Sequence, residues 1–206
     1  MENVIEISVN NSSKKIIIDE DSYKSIKEHT WWLNDHGYAV TKVTENGKRK
    51  EVKMHRLLMG FPDGIVDHIN RNRADNRISN LRVTDRSGNA WNKKKMNISP
   101  HKYKGIGIEK RGPKWRYKAR LAVYNERISL GAYATEEDAA KAYNVAAEFF
   151  QGEYALLNEV DHQGFIIDLS GPAVVFDKLI VNDMYKALFN TGLLSINGIT
   201  KEDIAI

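Results

Sequence analysis

The chain contains no cysteine. Disulfides are excluded, and so is any zinc site built on thiolates. The absence fits a reducing cytoplasm. No apolar run approaches the roughly 20 residues that span a bilayer as a helix, so no membrane partner is expected. The opening stretch, MENVIEISVNNSSKK, has no basic start followed by an apolar segment, and no secretion leader is expected. What is present is a globular composition. Of 206 residues, 42% are hydrophobic and 28% charged, which suits one large domain or two to three small modules rather than a disordered chain.

The net charge of +4 is unevenly placed. Residues 54–130 hold 18 Lys/Arg against 6 Asp/Glu, residues 1–53 are balanced, and residues 131–206 are acidic. Such concentration serves a phosphate-binding surface, because each neutralised phosphate releases counterions.

Periodicity predicts two strands over residues 3–9 and 14–18, then a short helix from Glu20 to Glu28. His36 to Thr44 alternates as a strand, and Asn46-Gly47 is a strong hairpin signal before KRKEVKM. Residues 1–53 form an N-terminal β-rich segment with no visible catalytic chemistry, and Trp31 and Trp32 read as core. HRLLM gives a short helix. VDHIN reads as a strand, NRNRADNRI as a polar loop, NLRVT as a second strand and DRSGNAWNKKK as a helix. Ser79 reads as a helix cap or a turn before NLRVT. Lys93 to Asn97 and then Ile98, Ser99 and Pro100 read as a basic linker, with residues 98–102 as the link between two modules. WRYKARL then alternates, with Trp115, Tyr117, Ala119 and Leu121 on one face and Arg116, Lys118 and Arg120 on the other. RISLGAY alternates too. Thr135 and Asp138 open a capping box before an alanine-rich helix. The expected product is a three-stranded antiparallel sheet with one helix on its apolar face. In residues 161–206, VVFDKLIVNDMYKALF suits a helix with Phe176, Ile180, Met184 and Leu188 inward, and Thr200 and Asp203 suit a short terminal turn.

One constellation suggests phosphodiester hydrolysis. That reaction needs a base for water, a divalent cation for the developing charge, and something that orients the base. Asp67 and His68 are adjacent on a strand and point to opposite faces unless it bends. Asn80 follows His68 by twelve positions and Asn89 follows by nine more. Asparagine serves well as a fixed donor and acceptor.

The string HRLLMGFPDGIVDHINRNRADNRISNLRVTDRSGNAWNKK resembles the HNH nuclease motif in its homing-endonuclease form, over about forty residues. The resemblance implies a ββα-metal core over residues 54–97. It implies that Asp67 and Asn89 hold the metal, that His68 is the general base and that Asn80 orients its ring. Two protein oxygens with open positions suit Mg²⁺ or Mn²⁺ better than Zn²⁺. His55 reads as structural or as a phosphate contact.

Residues 103–160 carry YKGI, KWRYKARL, SLGAY, EEDAAKAYNVAA and a closing LLN. They resemble the plant Apetala-type, ethylene-response-factor DNA-binding domain, whose sheet reads the major groove. The resemblance places Arg116, Lys118, Arg120, Arg127 and Ser129 on the reading face and Lys104 near the DNA backbone. Lys93, Lys94 and Lys95 in the linker are further DNA-binding candidates. Gly107 and Glu109 depart from the plant pattern, so the plant target sequence is not carried over.

The expected fold class is therefore α+β, with a nuclease core followed by a sheet packed on a helix. The expected activity is metal-dependent, site-directed cleavage of double-stranded DNA in the cytoplasm of a bacterial host, as in phage-borne homing endonucleases. One HNH site cuts one strand, so a double-strand cut needs a homo-oligomer or sequential events. Two other classes stay open at this point. One is a non-catalytic DNA-binding regulator with a vestigial nuclease fold, and the other is a structural nucleoid or virion protein.

Overall fold

In the computed structural model of the chain, Asn46 and Gly47 take φ of 51° and 74°, the paired left-handed geometry of a tight hairpin turn. They join β4 (Ala39–Glu45) to β5 (Lys48–Lys53), and β3 (Trp32–Leu33) pairs on the other side of β4. The structure describes residues 3–94, 100–123, 126–168, 187–188 and 190–195. These fall into two units, Met1–Asn92 and Lys93–Ile206. The architecture is mixed α and β, with several small, mostly antiparallel sheets and few helices. No helix of the described residues is long and apolar enough to cross a membrane.

In the first unit, β1 (Val4–Val9) and β2 (Ser12–Asp19) form an antiparallel hairpin. Ile16 and Ile18 of β2 are fully buried. They pack with Val9, Ile26, Trp31, Leu33, Ala39 and Met54. The helix expected over Glu20 to Glu28 is shorter: a 3-10 turn at Glu20–Ser22 runs into one α turn, α1 (Tyr23–Ile26). Trp31 folds back there, and its indole donates to the Ile26 carbonyl at 2.9 Å. The short helix α2 (Met54–Leu58) follows β5 directly.

The next elements are β6 (Ile65–His68), β7 (Leu81–Thr84) and α3 (Arg86–Trp91). β6 and β7 are antiparallel, with Asp67 opposite Arg82 and His68 opposite Leu81. β6 stops two residues earlier than VDHIN suggests. The chain turns there, with the Arg71 amide bonding the His68 carbonyl at 2.9 Å. Helix α3 begins at its Asp85 cap and ends at Asn92, short of the expected Lys95.

Sequence reading separated residues 1–53 from the segment after them, but the backbone joins the two. Ile17 of β2 donates to the Ala74 carbonyl at 2.8 Å, and Asn76 donates to the Ile17 carbonyl at 2.7 Å. The Asp19 carboxylate accepts from the Ile78 amide at 2.7 Å. The loop between β6 and β7 is thus an added rung on β2.

In the second unit, β8 (Ile106–Arg111), β9 (Lys114–Val123) and β10 (Glu126–Tyr133) form one antiparallel sheet, with β9 central. Ala119, Leu121 and Val123 of β9 are fully buried, as are Ala139, Ala142 and Ala146 of α4 (Glu136–Gln151). Small residues let the helix lie close to the sheet. The Thr135 hydroxyl caps α4 by accepting from the Asp138 amide at 3.0 Å. Gly105 has a φ of +79° and its Cα faces the Tyr143 ring, leaving no room for a side chain. Asn158 ties the end of the module to its start, accepting from the Lys104 amide at 2.7 Å and bonding Asn144. β11 (Ile167–Asp168) and β12 (Leu194–Ser195) form a short parallel pair. Phe176, Ile180, Met184, Thr200 and Asp203 lie outside the described residues, as does Lys95, while Leu188 is fully buried.

Candidate active site and nucleic-acid interface

Side chains of β6 alternate, so Val66 and His68 are buried and Asp67 is half-buried. Asp67 and His68 therefore serve different neighbours. On the Asp67 side, Arg82 donates through Nε and Nη2 at 3.3 and 3.1 Å, both to Oδ2. Asn92 adds a third bond to the same oxygen at 2.8 Å. Among the described residues, every hydrogen bond to this carboxylate falls on Oδ2. Asn92 Nδ2 also lies within reach of the His68 and Ile69 carbonyls, at 3.0 and 3.4 Å. It fastens the end of α3 to the end of β6. Asn89 stands three residues before Asn92 and shares its face of the helix.

His68 is 3% exposed, and burial holds its imidazole below the usual histidine range. Its ring packs edge-on against His55, with centroids 4.9 Å apart, and lies 6.1 Å from Tyr38. Nε2 faces Asn76 Oδ1 at 3.4 Å. Asn76 is fully buried, and its Nδ2 donates to the Ala74 carbonyl at 3.1 Å. The carboxamide oxygen is thereby turned toward His68. An oxygen there calls for a proton on Nε2, which leaves the lone pair on Nδ1.

Asn80 does not meet this ring. Its Nδ2 donates to Asn70 Oδ1 at 3.0 Å and to the Asp75 carbonyl at 2.8 Å, and its Oδ1 accepts from the Asn70 amide at 2.9 Å. It cross-braces the loop that follows His68. The residue at the ring is Asn76 instead. Beneath the loop, Arg77 grips the buried Asp75 carboxylate through Nε and Nη2 at 2.9 and 2.7 Å. This fork outweighs burial, which pushes the other way, and holds the Asp75 pKa below the usual carboxylate range.

Asp67, His68, Asn80 and Asn89 thus lie on one strand–loop–strand–helix segment, but among the described residues their side chains make no hydrogen bond to one another. Asn76, Asn92 and Arg82 went unnoticed in the sequence. Only the antiparallel register singles out Arg82, and only the spacing from Asn89 singles out Asn92.

A carboxylate with one oxygen outside the Arg82–Asn92 network, plus a carboxamide oxygen, is a hard-oxygen donor pair of the kind Mg²⁺ or Mn²⁺ accepts. Among the described residues no three His, Asp or Glu side chains cluster as a metal cage.

In the second unit one face of the sheet carries Arg116, Lys118, Arg120, Arg127 and Ser129, with Arg120 and Arg127 exposed and the other three half-buried. Ser129 stands opposite Arg120, and Glu109 opposite Arg116. Lys118 is paired to Glu109 at 2.8 Å. Lys104, Arg120 and Arg127 line one cleft of about 280 Å³. Lys93 and Lys94 are exposed.

Residues 54–91 match a family model described as HNH endonuclease. Over 148 residues the chain is 30% identical to an uncharacterized HNH endonuclease of Acanthamoeba polyphaga mimivirus, covering 68% of this chain and 73% of that protein. Over 61 residues it is 43% identical to an ethylene-responsive transcription factor of Arabidopsis thaliana, covering 30% of this chain and 32% of that protein. No solved structure matches the chain. The strand–loop–strand–helix segment is thus of nuclease type, and the chain belongs to the HNH endonuclease family.

Proposed function

We propose that the protein is a metal-dependent, site-directed endonuclease of the homing type, acting on double-stranded DNA from a ββα-metal core. One observation carries the reading: a buried His68 whose Nε2 is committed to Asn76, next in sequence to a carboxylate held by Arg82 and Asn92. In this scheme Nδ1 of His68 takes the proton from the attacking water. Asp67 and Asn89 hold the cation, which supplies charge stabilisation at the phosphate and the leaving oxygen. Asn80 acts at a distance, bracing the backbone that follows His68. Asp67 and His68 leave β6 on opposite sides, so a phosphate serving both lies over the end of the strand. The sheet face of the second unit with Arg116, Lys118, Arg120, Arg127 and Ser129 selects the DNA, and Lys104, Lys93 and Lys94 grip its backbone.

A second reading has one observation in its favour. Arg82 already neutralises Asp67, and a cation competes with it for the same carboxylate. A DNA-binding regulator with a vestigial nuclease core would carry such a pair at no cost to its function. Incubating supercoiled plasmid with and without Mg²⁺ or Mn²⁺, beside His68→Ala, separates the two. Metal-dependent nicking is expected, with a loss of about 10²–10⁴-fold in the variant. Plasmid that stays supercoiled under every condition sinks the enzyme reading and leaves the regulator.

A further inference from the structure

Two cations share one aromatic ring beside the candidate base. Lys53 Nζ lies 4.7 Å from the centroid of Tyr38, and Arg73 Cζ lies 4.5 Å from it. Lys53 ends β5, and Arg73 belongs to the loop after His68. Among the described residues neither is in an ion pair with a carboxylate. A ring quadrupole draws in one cation readily. A second adds further positive charge at the same ring. The cluster is also held in shape. Asn34 Oδ1 accepts from the amides of His36 and Tyr38 at 3.1 and 3.0 Å, fixing the turn that presents the ring. Arg73 Nη1 donates to the His36 carbonyl at 2.7 Å, tying that turn to the loop. Tyr38 in turn lies 5.3 Å from His55 and 6.1 Å from His68, between ring centroids. The field reaches inward: after burial and His68, Lys53 lowers the pKa of His55, and Arg73 opposes protonation of His68.

We propose that Tyr38, Lys53 and Arg73 form a phosphodiester-binding clamp that seats the DNA backbone next to His68. An anion is the ligand that two cations gathered at one ring, neither in an ion pair among the described residues, are suited to receive. The nearest source of one is the substrate strand at the base. The clamp deepens the nuclease reading and rests on it for the identity of its ligand. It also gives the N-terminal sheet a role at the site, through Tyr38 and Lys53.

The test uses the full chain without divalent cation, so that binding is read without cutting. Affinity for a 30-base-pair duplex is measured across a salt series for wild type, Lys53→Gln, Arg73→Gln and the double variant. Each lost phosphate contact lowers the slope of log K against log salt by about 0.9, which is roughly 8-fold in affinity at 0.1 M salt. The double variant is expected to lose about twice that slope, while Lys53→Arg and Arg73→Lys keep it. Arg73→Gln also removes a backbone bond, so Lys53→Gln, which removes none, serves as the variant free of that complication. A double variant with the wild-type slope overturns the clamp even if the wild type nicks plasmid. A wild type that never nicks, while the slope still drops, supports the clamp and removes only the cutting.

Discussion

Replacing His55 with methionine tests the electrostatics of the buried histidine pair. His55 is 4% exposed, and among the described residues its Nδ1 has no hydrogen-bond partner. Burial first, then the neighbouring His68, Lys53 and Arg56, lowers its pKa from 6.5 to about 3. A base with a depressed folded pKa binds fewer protons folded than unfolded, so stability falls as pH drops below the unfolded value. Between pH 7 and pH 5 the unfolded chain takes up a proton at this site that the folded chain refuses. The loss is about 2 kcal/mol, from 1.36 kcal/mol per unit of separation, and it continues to grow toward pH 3. Methionine removes the titrating group and an orphaned buried nitrogen that costs about 1–3 kcal/mol. The variant is therefore expected to be at least as stable as wild type at pH 7, and to lose about 2 kcal/mol less on going to pH 5. His68 is depressed in the same direction and keeps part of the acid sensitivity in both proteins. Urea unfolding of the full chain at the two pH values, followed by tryptophan fluorescence with the buried Trp31 as reporter, measures the difference. Equal losses in variant and wild type would refute the claim that His55 is held neutral by its surroundings.

Gly105→Ala is expected to destabilise the second unit by about 1–3 kcal/mol. A Cβ there would run into the Tyr143 ring and lie 2.8 Å from the Arg120 carbonyl, at a φ of +79°. A thermal melt unchanged by the substitution would disprove the close approach. Arg120→Ala is expected to weaken DNA binding by about 1–3 kcal/mol and relax the sequence preference at one position. Competition binding against a randomised duplex pool reads both, and an unaltered preference would remove Arg120 from the reading face.

Local rules made much of the fold legible. Asn46-Gly47 specified its hairpin and Thr135 capped α4 as its spacing suggested; the alternation of WRYKARL placed Ala119 and Leu121 inward with Arg120 outward, but Trp115, expected on the inward face, is 61% exposed near the strand's start. Long-range pairing was out of reach. Asn70, Asn72, Asn76 and Asn80 are chemically alike along the sequence. Which of them meets His68 depends on the path of a loop pinned by the Arg77–Asp75 fork and by the edge of β2. Asn76 reaches the ring and Asn80 the backbone because the loop folds under itself between them. Helix α3 stops where Asn92 spends its side chain on Asp67 and two carbonyls, a tertiary contact no propensity encodes. The Tyr38 cluster was hidden for the same reason, since Lys53 and Arg73 are separated by the whole of α2 and β6.

The rung between β2 and the loop at Ala74–Asn76 has a bearing on how such a nuclease is inherited and recombined. A cassette cut at residue 54 would carry every residue of the HNH signature, yet would leave the Ala74 carbonyl and the Asn76 amide without the Ile17 partners they have here. Asn76 is the residue whose side-chain oxygen faces His68 Nε2. The smallest segment that can be grafted with the His68–Asn76 geometry and its β2 support intact therefore includes the β1–β2 hairpin and runs to Asn92.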